Sequence, residues 1–111
     1  MKTIIRENTW LTRGFTDFGW GNGYVLIPEG HPLHGEFYDD IDVDVHCGLT
    51  FSKLVDERMI KEWHLEEKDK GKWCVGFDTA HARDNLFVWS KEAVQKETDR
   101  LMEQIASYEV V

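Results

Sequence analysis

At 111 residues the chain is near the usual size of one domain and long enough to bury a core, and five Trp and six Phe among 41% hydrophobic residues exclude a disordered segment. A formal charge of −8 leaves no field of Lys and Arg for nonspecific nucleic-acid binding or adhesion to an anionic membrane. No apolar run approaches the ~20 residues of a membrane span, the first residues lack a signal-peptide core, and Cys47 and Cys74 fit no CxxC spacing, so the expectation is a reducing cytoplasm with buried free thiols.

In chain order, Thr3 to Trp10 carries a modest strand signal, and Leu11 to Phe18 shows no period. Gly19, Gly21 and Gly23 then alternate with larger residues, which predicts a turn feeding a strand from Tyr24 to Ile27; the third glycine of a phosphate-binding GxGxxG is missing. Pro28 to Gly35 is a loop by composition, and Pro32 stiffens His31, with His34 close by. Ile41, Val43 and Val45 alternate with Asp42, Asp44 and His46, the cleanest strand pattern in the chain, with the aspartates on a solvated face or, less favoured, as metal ligands. Gly48 predicts a bend before a short strand ending near Ser52.

Between Asp56 and Lys70 neither period dominates. The turn signal Asp69-Lys70-Gly71 favours a hairpin of Met59 to Leu65 with Trp73 to Phe77 over the alternative, a helix from Lys53 to His64. Ser90 to Tyr108 reads as a helix, with Ser90 as N-cap and Val94, Leu101, Ile105 and Tyr108 on one stripe. The sum is a single α+β domain over 1–111, a twisted, mainly antiparallel sheet with one C-terminal helix packed on it.

The most chemically able stretch follows Phe77. Asp78, His81 and Asp84 recur every third residue, which a helical turn would place on one face at a strand end. Thr79 and Ala80 lie between Asp78 and His81, and an alternative reading has Asp78 only N-capping a short turn. His31 and His46, each beside a bend, are the candidates to join this acidic corner.

Four blocks, 21–25 (GNGYV), 28–32 (PEGHP), 45–52 (VHCGLTFS) and 76–84 (GFDTAHARD), with Glu97-Thr98 in the closing helix, resemble a family of small uncharacterised proteins encoded by tailed bacteriophages and prophages. The resemblance spans roughly residues 20–105. It implies a phage origin, a host-cytoplasm location and a shared pocket, but carries no established activity. Cys47 and Arg83 stand where that family usually has glycine, so neither position is expected to need a positive φ.

Three functions are compatible with these residues. The first is binding of a small, nucleotide-like molecule, with counteraction of host defence by analogy with other phage proteins. In it His31, His46, Asp78, His81, Asp84 and Arg83 line the pocket, Trp20 and Tyr24 (or Trp73 and Trp89) stack on the ligand, and Arg13 adds a second cation. The second is metal-dependent hydrolysis, with a divalent ion held among His31, His46, Asp78, His81 and Asp84. A Cys47 nucleophile is disfavoured, because strand neighbours point to opposite faces. In the third reading these side chains only stabilise turns. The many aromatic residues also make a homo-oligomer an expectation.

Overall fold

Val25, Leu26 and Ile27 have no exposed surface, and the rest of the molecule is arranged around them. In the computed structural model, which describes residues 1–8 and 18–108, β1 (Lys2–Glu7), β2 (Gly21–Ile27), β3 (Phe51–Leu54) and β4 (Trp73–Phe77) form one sheet in the order β1-β2-β4-β3. Every neighbouring pair is antiparallel. Two helices cover this sheet, α1 (Glu57–Trp63) and α2 (Lys91–Ala106).

Side-chain parity sorts the core into two layers. Val25, Ile27, Val75 and Phe77 face Val94, Leu101 and Ile105 of α2, while Tyr24, Leu26 and Cys74 face Val55 and Met59 on the α1 side. Each buried aliphatic side chain contributes about 2 kcal/mol by leaving water. The α+β architecture with a C-terminal helix packed on β1 and β2 is as expected. Ser90 Oγ caps α2 by accepting from the Ala93 amide at 3.3 Å. Tyr108, expected on the apolar stripe, lies beyond the last turn and is 42% exposed.

Three expectations are corrected. The Met59 to Leu65 strand is absent, and α1 occupies that stretch. Asp56 accepts from the Met59 amide at 2.8 Å as its N-cap, His64 closes it in the left-handed region, and Arg58 pairs with Glu62 one turn on at 2.9 Å. Those local terms and the apolar face of Met59, Ile60 and Trp63 outweigh the turn signal, and β4 pairs antiparallel with β3 across the connection that holds α1.

Gly21 and Gly23 do not form a turn but lie in the first half of β2, with Gly19 just before it. A Cβ on Gly21 would strike the Arg6 carbonyl and one on Gly23 would strike Thr98 Oγ1, so these glycines let β1 and α2 approach closely. The third correction concerns 41–46, which forms no ladder. Ile41 and Val45 are buried and Asp42 and Asp44 exposed, as the alternation demands. The neighbour is a helix, however: Gln104 takes both the amide and the carbonyl of Asp44 at 2.7 Å, and Glu97 accepts from the His46 amide at 2.9 Å. Alternation reports which face is buried and not what kind of element covers it.

At the far end of the α1 side, Asp69 has no exposed surface. It accepts from Lys2 Nζ at 2.8 Å, Lys72 Nζ at 2.9 Å and the Glu66 amide at 3.0 Å. Burial opposes its charge, but these three donors prevail and hold its carboxyl at about 2.

Candidate functional site

Beyond Phe77 the chain does not continue as a helix. It folds into consecutive tight turns, pinned to the entry of β2 by Gly19 N–H to the Thr79 carbonyl at 2.8 Å, Trp20 N–H to the Trp89 carbonyl at 2.7 Å, and Thr79 Oγ1 to the Gly21 carbonyl at 2.7 Å. Asp78 Oδ1 accepts from the Ala80 amide at 3.1 Å, closing the first turn. The second, His81 to Asp84, is closed by Asp84 N–H to the His81 carbonyl at 3.0 Å, with Arg83 at φ 73 in the position where a type II turn needs a positive angle.

Asp84, 6% exposed, orients both histidines of this corner. Its Oδ2 accepts from the His81 amide at 2.9 Å and its Oδ1 accepts from His46 Nε2 at 2.8 Å. The proton of a neutral His46 is thereby assigned to Nε2, leaving Nδ1 as the open nitrogen. Glu97 holds the His46 backbone, and Arg100, bonded to that carboxylate at 2.7 Å, keeps it below the usual carboxylate range, with the His46 amide adding to the effect. Trp89 lies over the His46 ring with centroids 4.2 Å apart.

The His81 ring meets His46 edge to face at 5.7 Å. Its Nε2 lies 2.9 Å from Asp78 Oδ1, but the direction is wrong for a hydrogen bond, so the nitrogen is buried without one. As whole side chains, His81 and Asp78 remain 31% and 32% exposed and form the open end of the cluster.

Cys47 departs from expectation in a way that matters. At φ 56, followed by Gly48 at φ 80, the backbone reverses, and Sγ comes to 3.9 Å from His46 Nδ1 and 3.8 Å from Nε2. The alternation that would have put Cys47 and His46 on opposite faces is broken by this turn. Near-equal distances to both nitrogens place the sulfur against the ring, not along a lone pair, which is contact geometry and not a proton-transfer bond. Both Cys47 and Arg83 adopt the left-handed angles that glycine would accept freely, contrary to the expectation from their identity.

The structure therefore brings together His46, Asp78, His81 and Asp84, and leaves the other candidates elsewhere. His31 does not converge: its Nδ1 accepts from the Leu33 amide at 3.1 Å and its Nε2 donates to the Ile105 carbonyl at 2.9 Å, strapping the loop to the end of α2. His34 donates to the Gly71 carbonyl at 2.7 Å. Tyr24 lies on the opposite face of the sheet, packed at 4.6 Å on Trp63. Trp20 stays at the rim, half-buried beside Trp89, and Arg83 is exposed. Arg13 lies outside the described residues.

Among the described residues no three His, Cys, Asp or Glu side chains are grouped to hold a metal ion, so the ligand set drawn from His31, His46, Asp78, His81 and Asp84 is not assembled. No helix among them is long and apolar enough to cross a membrane. No protein-family model, curated protein or solved structure matches the chain.

Two members of the cluster carried little signal in the sequence. Trp89 was one of four stacking candidates, and nothing local marked Glu97 as an acceptor, because its partner, His46, is 51 positions away.

Proposed function

We propose that the chain binds a small polar ligand at the end of β4, where His81, Asp78 and the exposed Arg83 meet it and His46, Asp84 and Trp89 form the frame behind them. One observation carries this reading. Two His and Asp pairs from separate segments meet with rings 5.7 Å apart, flanked by turns in which Cys47 and Arg83 hold left-handed angles. Such angles cost on the order of 1 kcal/mol each in side-chain-bearing residues and concentrate at sites where a side chain must be aimed.

Asp84 has a donor on each oxygen, whereas the partly exposed outer pair has unspent bonding capacity. Imidazole and guanidinium together suit an anionic group such as a phosphate, and Trp20 at the rim offers a face to a planar ring. A nucleotide-like ligand is the class that combines the two. The likeness to phage proteins suits a role in an infected host, where capture of such a ligand would blunt a defence signal.

The test is a thermal-shift and calorimetric panel of mono-, di- and cyclic nucleotides. A midpoint that rises with one ligand in the parent chain, and does not rise in His81→Ala or Arg83→Ala, supports the reading. No shift with any nucleotide, or a shift that survives both substitutions, sinks it.

A further inference from the structure

Two side-chain atoms among the described residues are buried without a hydrogen-bond partner, His81 Nε2 and Asn22 Oδ1. A buried amide oxygen left unpaired costs about 1–3 kcal/mol, a cost that an incoming donor would remove. Asn22 pairs directly with Arg6 in the β1 and β2 ladder. The β2 and β4 ladder ends at Gly23 and Phe77, and the Thr79 hydroxyl bond to the Gly21 carbonyl keeps the two chains adjacent just beyond it, so Asp78 leaves β4 beside Asn22. Arg6, Asn22 and Asp78 thus lie side by side across three adjacent segments, about 5 Å from one to the next.

This row belongs to the α1 face. Asn22 Nδ2 donates to the Tyr24 hydroxyl at 3.3 Å. Burial raises the Tyr24 phenol, the Asn22 bond and the Arg6 charge oppose that, and the Asp78 charge adds to it, so both charges lie within reach of the same hydroxyl. The Arg6 guanidinium rests on the Trp63 ring at 4.3 Å. That stacking occupies its face, and among the described residues no carboxylate pairs with its N–H edge.

An anion alone would satisfy Arg6 but face Asp78, and an amine alone would satisfy Asp78 and Asn22 but face Arg6. We propose that the row of Arg6, Asn22 and Asp78 recognises a compact zwitterion, an ammonium close to a carboxylate as in a free α-amino acid. Arg6 takes the carboxylate, Asn22 Oδ1 and Asp78 accept from the ammonium, and the Tyr24 hydroxyl stands between them. A span of one strand spacing on either side of Asn22 fits a molecule of that size. The row shares Asp78 with the histidine corner but does not depend on a ligand there.

The experiment is an amide-resolved NMR titration of the full chain with a panel of α-amino acids, beside ethylamine and acetate as single-charge controls. One amino acid is expected to shift the Asn22 side-chain amide and the Trp63 indole resonances, binding at least about tenfold more tightly than either control. Arg6→Gln and Asn22→Ala should each weaken that binding about tenfold or more, whereas Lys96→Gln, an exposed charge on α2, should leave it unchanged. Arg6 is exposed, so Arg6→Gln keeps the test decisive even if Asn22→Ala does not fold. The inference is overturned if no amino acid moves those resonances at about 10 mM, if either control binds as well, or if Arg6→Gln binds like the parent chain.

Discussion

Asp69 and Asp84 are both buried carboxylates that tie distant segments together, yet they are saturated in different ways. Asp69 takes two ammonium groups and a backbone amide, and from Lys2 the network passes only to the surface pair of Glu66 and Lys68. Asp84 takes one imidazole and one amide, and the rings it orients lead outward to His81 and Asp78, which reach solvent. The first arrangement consumes its bonding capacity in holding the fold. The second uses one carboxylate to aim groups whose own capacity is left over.

The largest effect expected from breaking that contrast is at Asp69. Asp69→Ala takes the acceptor from two partly exposed lysines and from the Glu66 amide and should cost about 3 kcal/mol in urea unfolding, with no change in the surroundings of His46. Asp84→Ala should cost less, about 2 kcal/mol, and should free the His46 ring, seen as a changed imidazole shift and tautomer by NMR. If the two substitutions cost the same and Asp84→Ala leaves His46 unmoved, the distinction between them fails.

Acid sharpens it further. The folded-state pKa of Asp69 lies below its ordinary 3.8, at about 2. Its stabilisation is therefore complete above the ordinary value and is lost as pH falls through the lower one, amounting to about 2 kcal/mol. Unfolding free energy measured from pH 5 to 2 should show this fall in the parent chain, and the fall should shrink in Asp69→Asn.

Smaller changes test the strain at the site. Cys47→Gly and Arg83→Gly should each stabilise by about 0.5–1 kcal/mol, since glycine accepts the observed angles without steric cost. A loss of stability in both would mean that the strain is not there. The two thiols offer a last contrast: Cys47 is exposed, whereas Cys74 is buried and pushed up to about 12. Iodoacetamide followed by mass spectrometry should label Cys47 in the native protein and Cys74 only after unfolding.

Much of this molecule is legible residue by residue. The Trp73 to Phe77 strand, the Ser90 cap and the apolar stripe through Val94, Leu101 and Ile105 follow from periodicity and capping, because each depends on neighbours a few positions apart. The acidic corner after Phe77 was visible for the same reason. What sequence order could not express was which distant groups arrive there. Alternation at 41–46 fixed the buried face but not the covering element, and the imidazole of His31 is spent on the Ile105 carbonyl 74 positions away.

The polar cluster at the end of β4 is thus encoded locally, by an abrupt change from apolar alternation to Asp78, His81 and Asp84. Its membership was decided only by tertiary structure, through the Asp84 bond to His46 at 2.8 Å across 38 positions and the sheet register that sets Arg6 beside Asn22. Local patterns encode the conformation and burial of a segment. Partnership between segments depends on register and on competition for buried hydrogen bonds, and neither has a short-range signature.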